Sequence, residues 1–405
     1  MSAIPTKSRL RIAYFSPLPP ARSGIATYSA DLLPHLATHA DLILFTDNAA
    51  QVDPVLQQQF IIREIDSFAG LWKEDVDICL YQMGNNILYH EKIYTTLLRF
   101  PGVVMLHDLN LHSFLGELYL TRGLFAAYMR EMGYGYGSSG IELARQAHYE
   151  NRPIDIQQYP LFERAVQTSL GVAVHSRYAY ENVNGRCPQT SIAHIPHLQA
   201  DLLSQYPSPH AAKAELGLTQ DTILLSSFGY IAPSKRIEVA LRAFAKLSPQ
   251  YPQAVYALVG AMIEGYTLRS LITELNLENK VKIIGYADES TFQTYIAATD
   301  IGINLRYPSL GETSGTLLRL MGMAKPLLVS NVDTFVELPD DACIKIDVNA
   351  QEQQQIEAAL QTLITDETAR RQMGLHAHAY IQQECDPTTI AEKYMHFIRT
   401  IVEPH

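Results

Sequence analysis

Short apolar runs alternate with helical stretches along almost the whole chain, and this rhythm constrains the fold more than any other feature. Runs such as 11–15, 41–46 and 78–83 are apolar at successive positions rather than at every second one. Strands buried on both faces of a parallel sheet have this character, whereas strands with one face in water alternate. The pattern predicts an α/β protein with doubly wound parallel sheets.

The alternation is interrupted near residues 198–210, where two prolines and several polar residues indicate a linker. About six predicted strands lie on each side of it. We therefore predict two Rossmann-like domains, at 1–200 and 208–386, with parallel sheets that face each other across a cleft. A last helix over 388–402 has its own N-terminal signal and is expected to pack back on the first domain.

Residues 109–150 do not follow the alternation. The segment is long, helical in pattern, and rich in Leu, Tyr and Met. It is either two additional packed helices or an insertion at the strand ends that covers a binding site or contacts a membrane or another subunit.

Composition excludes several classes of protein. The formal net charge of −11 argues against a broad nucleic-acid surface and against strong electrostatic binding to anionic lipid. The four cysteines are scattered without a CxxC pair, which predicts buried free thiols in a reducing cytosol. Neither a signal peptide nor a run long enough to span a bilayer is expected.

Residues 307–331 carry the most informative local pattern. A predicted strand ends in a loop containing Glu312, and an apolar helix then begins at small residues. Unpaired N–H groups at a helix N-terminus bind anions, and a neighbouring glutamate can accept hydrogen bonds from hydroxyls. The pattern indicates a sugar nucleotide, although an ordinary βα turn capped by Thr313 or Ser314 is the alternative. The predicted phosphate-binding residues are Thr313, Ser314, Gly315 and Thr316.

Two other predicted strand ends offer groups for phosphate. Lys235 and Arg236 stand just before a helix, where cations oppose the helix dipole, and this misfit favours a role at a diphosphate. Gly24 precedes a helix after the first strand and would let backbone amides approach a phosphate or sugar. The loop is not a GxGxxG motif, so nicotinamide binding is not indicated.

Further candidates follow the predicted strands at 103–107 and 280–285. His107 can donate to a sugar hydroxyl or steady a reacting group, and the next residue, Asp108, is as plausibly a cap for the following segment. Gly285 and Tyr286 could present backbone groups to a nucleobase edge or form a plain turn.

Other chemistries fit poorly. Asp75 and Asp77 have the spacing of a metal-binding pair, but they precede a predicted strand and are interpreted as a solvated strand start. His107 and His112 do not form a zinc pattern. Neither a GxSxG turn nor a GxxxxGK[ST] loop occurs in the sequence.

Taken together, these segments resemble the retaining glycosyltransferases of family four, which have the GT-B fold. The resemblance spans most of the chain in the family's order, and its GETSG loop and the 109–150 insertion resemble a bacterial branch. The matching segments are PLPPARSGIATYSADLL, MLHD, GVAVHSRYA, AHIPH, FGYIAPSKRIEVALRAF, VKIIGYAD, YPSLGETSG and KPLLVSN.

The resemblance implies a nucleotide-diphosphate sugar bound mainly by the second domain and an acceptor on the first. Glu312 would contact the donor sugar, Lys235 the diphosphate, and His107 the region beside the transferred sugar. Gly24 would lie near the phosphate. Neither a metal nor another cofactor is implied.

Two positions depart from the family pattern. Leu320 stands where the family has a second glutamate, often bound to the ribose, and Tyr230 replaces an arginine that follows the seventh strand. Ribose recognition, and with it the identity of the nucleotide, is therefore open.

The sequence as a whole predicts a metal-independent retaining hexosyltransferase of bacterial polysaccharide biosynthesis, acting on a glycan, lipid-linked or small-molecule acceptor. A sugar-nucleotide epimerase and a catalytically silent subunit of a glycan-synthesis complex are the alternatives. We expect a cytoplasmic protein that does not bind nucleic acid, with peripheral contact at the inner membrane face through 109–150 left open.

Overall fold

A computed structural model describes residues 9–70 and 76–403 of the chain. The chain divides into two compact units. The first contains residues up to Leu198, the short segment Leu310–Thr313 and the chain from Pro387 onward. The second contains Gln199–Ser309 and Ser314–Asp386.

The first unit is built on a seven-stranded sheet in which every neighbouring pair of strands is parallel. The order is β3-β2-β1-β4-β5-β6-β7. Chain order therefore reverses direction between the adjacent strands β1 and β4. The strands are β1 Arg11–Phe15, β2 Asp41–Thr46, β3 Ile61–Glu64, β4 Ile78–Met83, β5 Val103–Leu106, β6 Gly171–Val174 and β7 Ile192–His194.

Successive side chains of these strands enter different cores, because Cβ atoms alternate across a sheet. In β1, Ala13 and Phe15 pack in one core, whereas Ile12 and Tyr14 pack in the core on the opposite face. All four are fully buried. Two-sided burial explains why the sequence shows continuous apolar runs.

Helices cover both faces of this sheet. The helix α1 begins at a Ser23 cap, whose hydroxyl accepts a hydrogen bond from the Ile25 N–H. The last helix, α15, belongs to the same unit, where the Tyr394 hydroxyl lies 2.8 Å from the hydroxyl of Tyr28 in α1. The helices are α1 Gly24–Leu36, α2 Pro54–Gln59, α3 Ile87–Leu97, α4 His112–Tyr119, α5 Phe125–Glu150, α6 Glu163–Thr168, α7 Arg177–Arg186 and α15 Pro387–Val402.

The atypical segment 109–150 folds as α4 and α5. The long helix α5 is interrupted at Gly137, whose φ of 64° is left-handed. Such a conformation favours glycine because it lacks a Cβ. The chain therefore bends sharply there, and Gly133 and Ile141 on the two sides of Gly137 come into close contact.

The second unit contains a six-stranded parallel sheet in the order β10-β9-β8-β11-β12-β13. Here chain order reverses between β8 and β11. The strands are β8 Ile223–Phe228, β9 Ala254–Val259, β10 Val281–Gly285, β11 Ile301–Asn304, β12 Leu327–Ser330 and β13 Ile344–Ile346. The helices are α8 Pro209–Glu215, α9 Ile237–Leu247, α10 Arg269–Glu274, α11 Glu289–Ala298, α12 Gly315–Gly322, α13 Glu352–Thr365 and α14 Glu367–Glu384.

The predicted α/β class with two Rossmann-like parallel sheets is confirmed, and each predicted strand is present with its end shifted by a few residues at most. The sequence analysis missed one strand, β3. It lies at the edge of the sheet, and its four residues, IIRE, are exposed at both ends. An edge strand that is only partly buried lacks the continuous apolar run by which the others were recognised.

Candidate functional site

In open parallel sheets, ligands bind at the carboxyl ends of the strands where the strand order reverses. In the second unit this point lies between β8 and β11. The loops after these strands are joined by a 2.7 Å hydrogen bond, which the N–H of Tyr307 donates to the carbonyl of Ser234. Lys235 follows β8 and Arg306 follows β11, so both cations belong to this edge of the sheet.

Lys235 and Arg306 make this edge electropositive. The Lys235 Nζ lies 3.5 Å from the Phe228 carbonyl oxygen at the end of β8. Burial, and secondly the neighbouring Arg306 charge, lower the pKa of Lys235 to about 7. An anion bound here would offset both effects, because an opposite charge favours the protonated amine.

Arg236 does not share this arrangement. It adopts a left-handed conformation with φ of 55° immediately before α9. Its Nε and Nη2 atoms both donate to the carboxylate of Glu352, whose side chain is only 4% exposed. The guanidinium thus has an internal partner that the sequence did not reveal, and the role predicted for Arg236 at a diphosphate remains a prediction.

The N-terminus of α12 lies after β11. Ser314 is the cap residue, and its hydroxyl accepts a hydrogen bond from the Leu317 N–H. The sequence had predicted either Thr313 or Ser314 in this role. The same hydroxyl lies 3.2 Å from Asn304 Oδ1 and 3.1 Å from the hydroxyl of Thr316. Gly315 is exposed, and among the described residues no atom lies within 4 Å of the position that a Cβ would take there. The first turn of α12 therefore presents unshielded backbone N–H groups.

Glycines end the neighbouring strands. A Cβ at Gly260 would lie 1.9 Å from the Gly229 carbonyl oxygen, so the two loops approach more closely than any side chain allows. Gly285 has a φ of 77°, and the Tyr286 side chain that follows it is 61% exposed. Gly260 and Gly285 also form an isolated β-bridge with each other, and the nucleobase contact predicted for Gly285 and Tyr286 remains a prediction.

Leu320 occupies the position where the resembled family has its second glutamate. It is 1% exposed and belongs to the hydrophobic core of the second unit. The preceding Arg319 pairs with Glu289 at 2.8 Å and lies over the Phe292 ring. Leu320 has a packing role, so a carboxylate for ribose would have to come from another element.

Glu312 lies in the segment Leu310–Thr313, which belongs to the first unit. Its Oε2 atom accepts a 2.8 Å hydrogen bond from the Leu310 N–H two residues earlier. This local bond from a backbone N–H to a nearby side chain stabilises the loop before α12.

In the first unit, His107 is one member of a largely buried cluster of histidines. Its Nε2 lies 2.8 Å from Gln82 Oε1, and its Nδ1 lies 3.0 Å from His175 Nε2. The ring of Tyr28 packs against His107 and His197. Burial, and then the nearby imidazoles, lower the pKa of His107 well below its usual value. A sugar hydroxyl can therefore bind His107 Nε2 only by displacing the Gln82 amide.

Asp108 does not cap the following helix α4, whose N-cap residue is Leu111, so the capping role considered for it is wrong. Its Oδ2 atom instead accepts a 2.9 Å hydrogen bond from the Asn85 N–H, in the loop after β4. Pairing of β4 with β5 brings that loop beside Asp108, and capping signals in the sequence do not contain this contact.

The remaining predicted positions have simple environments. Gly24 begins α1 with open space around its Cβ position among the described residues. Asp77 lies just before β4, as predicted, and accepts from the Arg11 N–H, whereas Asp75 lies outside the described residues. Within residues 9–70 and 76–403, no group of His, Cys, Asp or Glu side chains is placed to hold a metal ion. The four cysteines are free and buried, as predicted.

Sequence reasoning missed Arg306, His175 and His197. Each of these residues stands at or shortly after the end of a predicted strand. Position at the end of a predicted strand had already identified His107 and Lys235, so the same criterion could have found these three residues. What the sequence lacked was the strand order, which makes β11 the neighbour of β8, and β6 the neighbour of β5.

The chain is similar to several known proteins. Residues 210–379 match the model of the family described as Glycosyl transferases group 1, and this range covers most of the second unit. An O-antigen biosynthesis glycosyltransferase, WclY of Escherichia coli, is 26% identical over 187 residues, which are 45% of this chain and 48% of WclY. The chain thus aligns with about half the length of the curated relatives it matches.

Solved structures are similar over nearly the whole chain. Sucrose-phosphate synthase from Thermosynechococcus elongatus has a TM-score of 0.70 and 18% identity, with 97% of this chain and 99% of that chain covered. HepE of Anabaena, solved in complex with UDP-glucose, has a TM-score of 0.62 and 17% identity, with 96% and 100% covered. The chain therefore has the GT-B fold of two Rossmann-like domains, and its second unit supports a relationship to the group 1 glycosyltransferases.

Proposed function

We propose that the protein is a retaining glycosyltransferase that moves a hexose from a nucleotide-diphosphate sugar to a hydroxyl of a glycan, lipid-linked or small-molecule acceptor. The observation that carries this proposal is that Lys235 and Arg306, which influence each other electrostatically, follow the adjacent strands β8 and β11, and that the chain after β11 leads to the capped N-terminus of α12. The group 1 match covers this unit, and the related fold of HepE was solved with UDP-glucose bound.

The chemistry of the donor explains why such an edge is useful. When the bond between the sugar and the diphosphate breaks, negative charge develops on the leaving phosphate. Fixed cations and backbone N–H groups stabilise that charge without reorganising during the reaction. Lys235, Arg306 and the first turn of α12 supply these groups, and the diphosphate can be neutralised without a divalent metal.

The reaction retains configuration in this proposal. The acceptor oxygen attacks the anomeric carbon from the face that the phosphate leaves, and the departing phosphate oxygen takes the acceptor proton. Glu312 accepts hydrogen bonds from the donor sugar's hydroxyls. His107 is a neutral, rigidly held neighbour of the transferred sugar rather than an acid, because burial lowers its pKa.

The nucleotide is recognised without the second glutamate. Leu320 is buried, so the ribose is not held at this position by a carboxylate. The loops after β9 and β10, which pair with each other at Gly260 and Gly285, would contact the base and the ribose. This arrangement leaves the choice among UDP, GDP and ADP to experiment.

The test combines binding and turnover on one preparation. Thermal-shift measurements with UDP, GDP, ADP and their hexose conjugates identify a nucleotide by the stability it adds. Release of that nucleotide from its sugar is then followed with and without excess chelator. We expect one nucleotide class to stabilise the protein and slow donor hydrolysis to persist in chelator, with the anomeric configuration retained in the product.

Three outcomes would contradict the proposal. Inverted product would refute the stereochemical course. Loss of activity in chelator that manganese or magnesium restores would refute the metal-free site. Binding without turnover, across donors and a panel of acceptors, would favour the silent-subunit alternative.

A further inference from the structure

Two buried tyrosines of the first unit bring their hydroxyls together. Tyr28 belongs to α1 and Tyr394 to α15, and their oxygen atoms lie 2.8 Å apart although the residues are 366 positions apart in the chain. Both side chains are at most 2% exposed. Each hydroxyl has one proton to donate, and a buried tyrosine hydroxyl normally finds a partner. The hydrogen bond between them uses only one of the two protons, so the other is available for a third group.

That third group is the side-chain amide of Gln82 in β4. Gln82 is completely buried, and its side chain interacts with the hydroxyl of Tyr394. At its other end, the amide lies 2.8 Å from the Nε2 atom of His107. When Oε1 is the atom that faces His107, the Nε2 atom of Gln82 has no hydrogen-bond partner among the residues that the structure describes. Rotation exchanges the two ends of an amide, so the groups around it decide its orientation.

The side of His107 away from Gln82 decides that orientation. His107 Nδ1 lies 3.0 Å from His175 Nε2, and His175 Nδ1 lies 3.0 Å from the Ile195 carbonyl oxygen. A carbonyl only accepts, so His175 donates to Ile195 and accepts from His107. Neutral His107 then accepts at Nε2. The NH₂ group of Gln82 therefore faces His107, and its amide oxygen faces Tyr394.

In this orientation Tyr394 donates to Gln82 and accepts from Tyr28. Donation then runs in one direction, from Tyr28 to the Ile195 carbonyl, and each polar group along it has a partner. The ring of Tyr28 also packs edge-on against the ring of His107, with 4.7 Å between the ring centroids. The last helix of the chain thus reaches His107 both through a hydrogen-bonded amide and through a packed ring.

We propose that Tyr394 is a positioning residue for His107, because its hydroxyl holds the Gln82 amide with the NH₂ group toward His107. This orientation keeps the Nε2 lone pair of His107 as an acceptor. A sugar hydroxyl that replaces the Gln82 amide then donates to His107 rather than accepting from it. The inference rests on the proposed function for the place of His107 beside the transferred sugar.

Tyr394→Phe removes the donor and keeps the ring. The amide oxygen of Gln82 then loses its partner, so the opposite amide orientation, with the oxygen toward His107, becomes competitive. We expect the Nε2–H tautomer of His107 to rise about tenfold, from about 1% to about 10%, as the loss of one buried hydrogen bond predicts. Nitrogen-15 NMR of the imidazole rings in the full chain measures both tautomers.

Tyr14→Phe is the matched control. Tyr14 is completely buried in the same core as Tyr394, and its hydroxyl donates to Ser29 at 2.8 Å. The variant loses one buried tyrosine hydroxyl but leaves the tautomer of His107 unchanged. Tyr28→Phe is a second control, because it keeps both the ring that packs on His107 and the Tyr394 donor, and it should leave the tautomer unchanged as well.

Gln82→Glu tests the same assignment with Tyr394 in place. A carboxylate has no proton to donate, so it can only accept from Tyr394 and from His107. We expect His107 to carry protons on both nitrogens at pH 7 in this variant, because a neighbouring carboxylate favours the charged imidazole. A wild-type protein in which His107 Nε2 already carries the proton would overturn the proposal without any variant.

Donor hydrolysis is the second readout. Tyr394→Phe should lower kcat about tenfold and change KM for the sugar nucleotide less than about threefold, whereas Tyr14→Phe should change neither. An unchanged His107 tautomer in Tyr394→Phe, or an equal change in Tyr14→Phe, would overturn the proposal. A changed tautomer with unchanged kcat would overturn the role in the reaction. A wild type without hydrolysis would refute the proposed function alone, because the tautomer measurements do not depend on turnover.

Discussion

The Nδ1 atom of His107 lies 3.0 Å from the Nε2 atom of His175, whose own Nδ1 lies 3.0 Å from the Ile195 carbonyl oxygen. A carbonyl only accepts, so His175 Nδ1 carries the proton and His175 Nε2 is an acceptor. His107 must then donate from Nδ1. In neutral His107 the Nε2 atom is then an acceptor. The NH₂ group of the Gln82 amide must therefore face His107 Nε2 and donate to it. That orientation also provides a partner for Gln82 Nε2, which otherwise has none among the described residues.

The first prediction concerns the protonation of His107. Burial and the neighbouring imidazoles disfavour a second proton, so His107 should remain the neutral Nδ1–H tautomer between about pH 5 and pH 8. Nitrogen-15 NMR of the imidazole rings measures this directly. A His107 that gains a proton in this range would instead donate to both Gln82 and His175.

The second prediction is a pH dependence set by Lys235. Its pKa of about 7 is lower than that of an exposed lysine, so above pH 7 the free protein must take up a proton to bind a diphosphate. Affinity for the nucleotide diphosphate should fall between pH 7 and pH 9, by up to about tenfold per pH unit. Isothermal titration calorimetry across this range tests it.

Lys235→Arg is the control for that measurement, because an arginine stays charged and should flatten the pH profile. Lys235→Ala should weaken binding by about 2 kcal/mol at pH 6.5. The pH dependence of folding stability has the opposite sign to that of diphosphate binding. A lowered pKa means that the unfolded chain binds more protons between pH 7 and pH 10, so this group makes the unfolding free energy rise with pH there. A flat binding profile in the wild type would move the phosphate away from Lys235.

The third prediction separates Arg236 from Lys235. Arg236→Met leaves the buried Glu352 carboxylate without its partner, and the free energy of unfolding should fall by about 3 kcal/mol. Combining Arg236→Met with Glu352→Leu should recover most of the loss, because an apolar pair can replace a buried ion pair. Chemical denaturation measures both variants.

Binding of the nucleotide diphosphate by the same variants decides the site assignment. We expect Arg236→Met to change the affinity less than threefold, or about 0.6 kcal/mol, because its guanidinium is already engaged. A loss as large as that of Lys235→Ala would show that Arg236 also reaches the diphosphate, as the sequence alone suggested.

The fourth prediction uses two glycines of α12. Gly315→Ala introduces a methyl group into open space, so the free energy of unfolding should stay the same or rise by up to about 1 kcal/mol. If a phosphate approaches the first turn, the same methyl group should weaken binding about tenfold. Gly322→Ala, at the other end of α12, meets only ordinary contacts at 3.5 Å and beyond and should leave binding unchanged. Equal affinity of the two variants would place the phosphate elsewhere.

The fifth prediction concerns Glu312. Glutamine retains an oxygen that can accept from the Leu310 N–H, so Glu312→Gln preserves the loop and removes only the charge. Turnover should fall at least about 100-fold, whereas binding of the free nucleotide diphosphate should change less than about threefold. A parallel loss of binding and turnover would make Glu312 a structural residue of the loop.

Much of this architecture could be predicted from the sequence because its signals are local. Continuous apolar runs identified the buried strands, and Ser314 marked a helix start through a hydroxyl that caps within a few residues. The failures have two physical origins. Asp108 accepts from the Asn85 N–H, a neighbour that is distant in sequence, and β3 is a partly buried edge strand without a continuous apolar run.

The sequence by itself determined the two parallel sheets, the strand-end positions of Lys235, Glu312 and His107, and the capped start of α12. Periodicity and capping act over a few residues and need no knowledge of the fold. The tertiary structure alone decided which of these groups have internal partners. It engages Arg236 with Glu352, 116 residues away, and brings Arg306 to Lys235. Parallel strands that are adjacent in a sheet need not be adjacent in the chain, so their order sets which side chains meet.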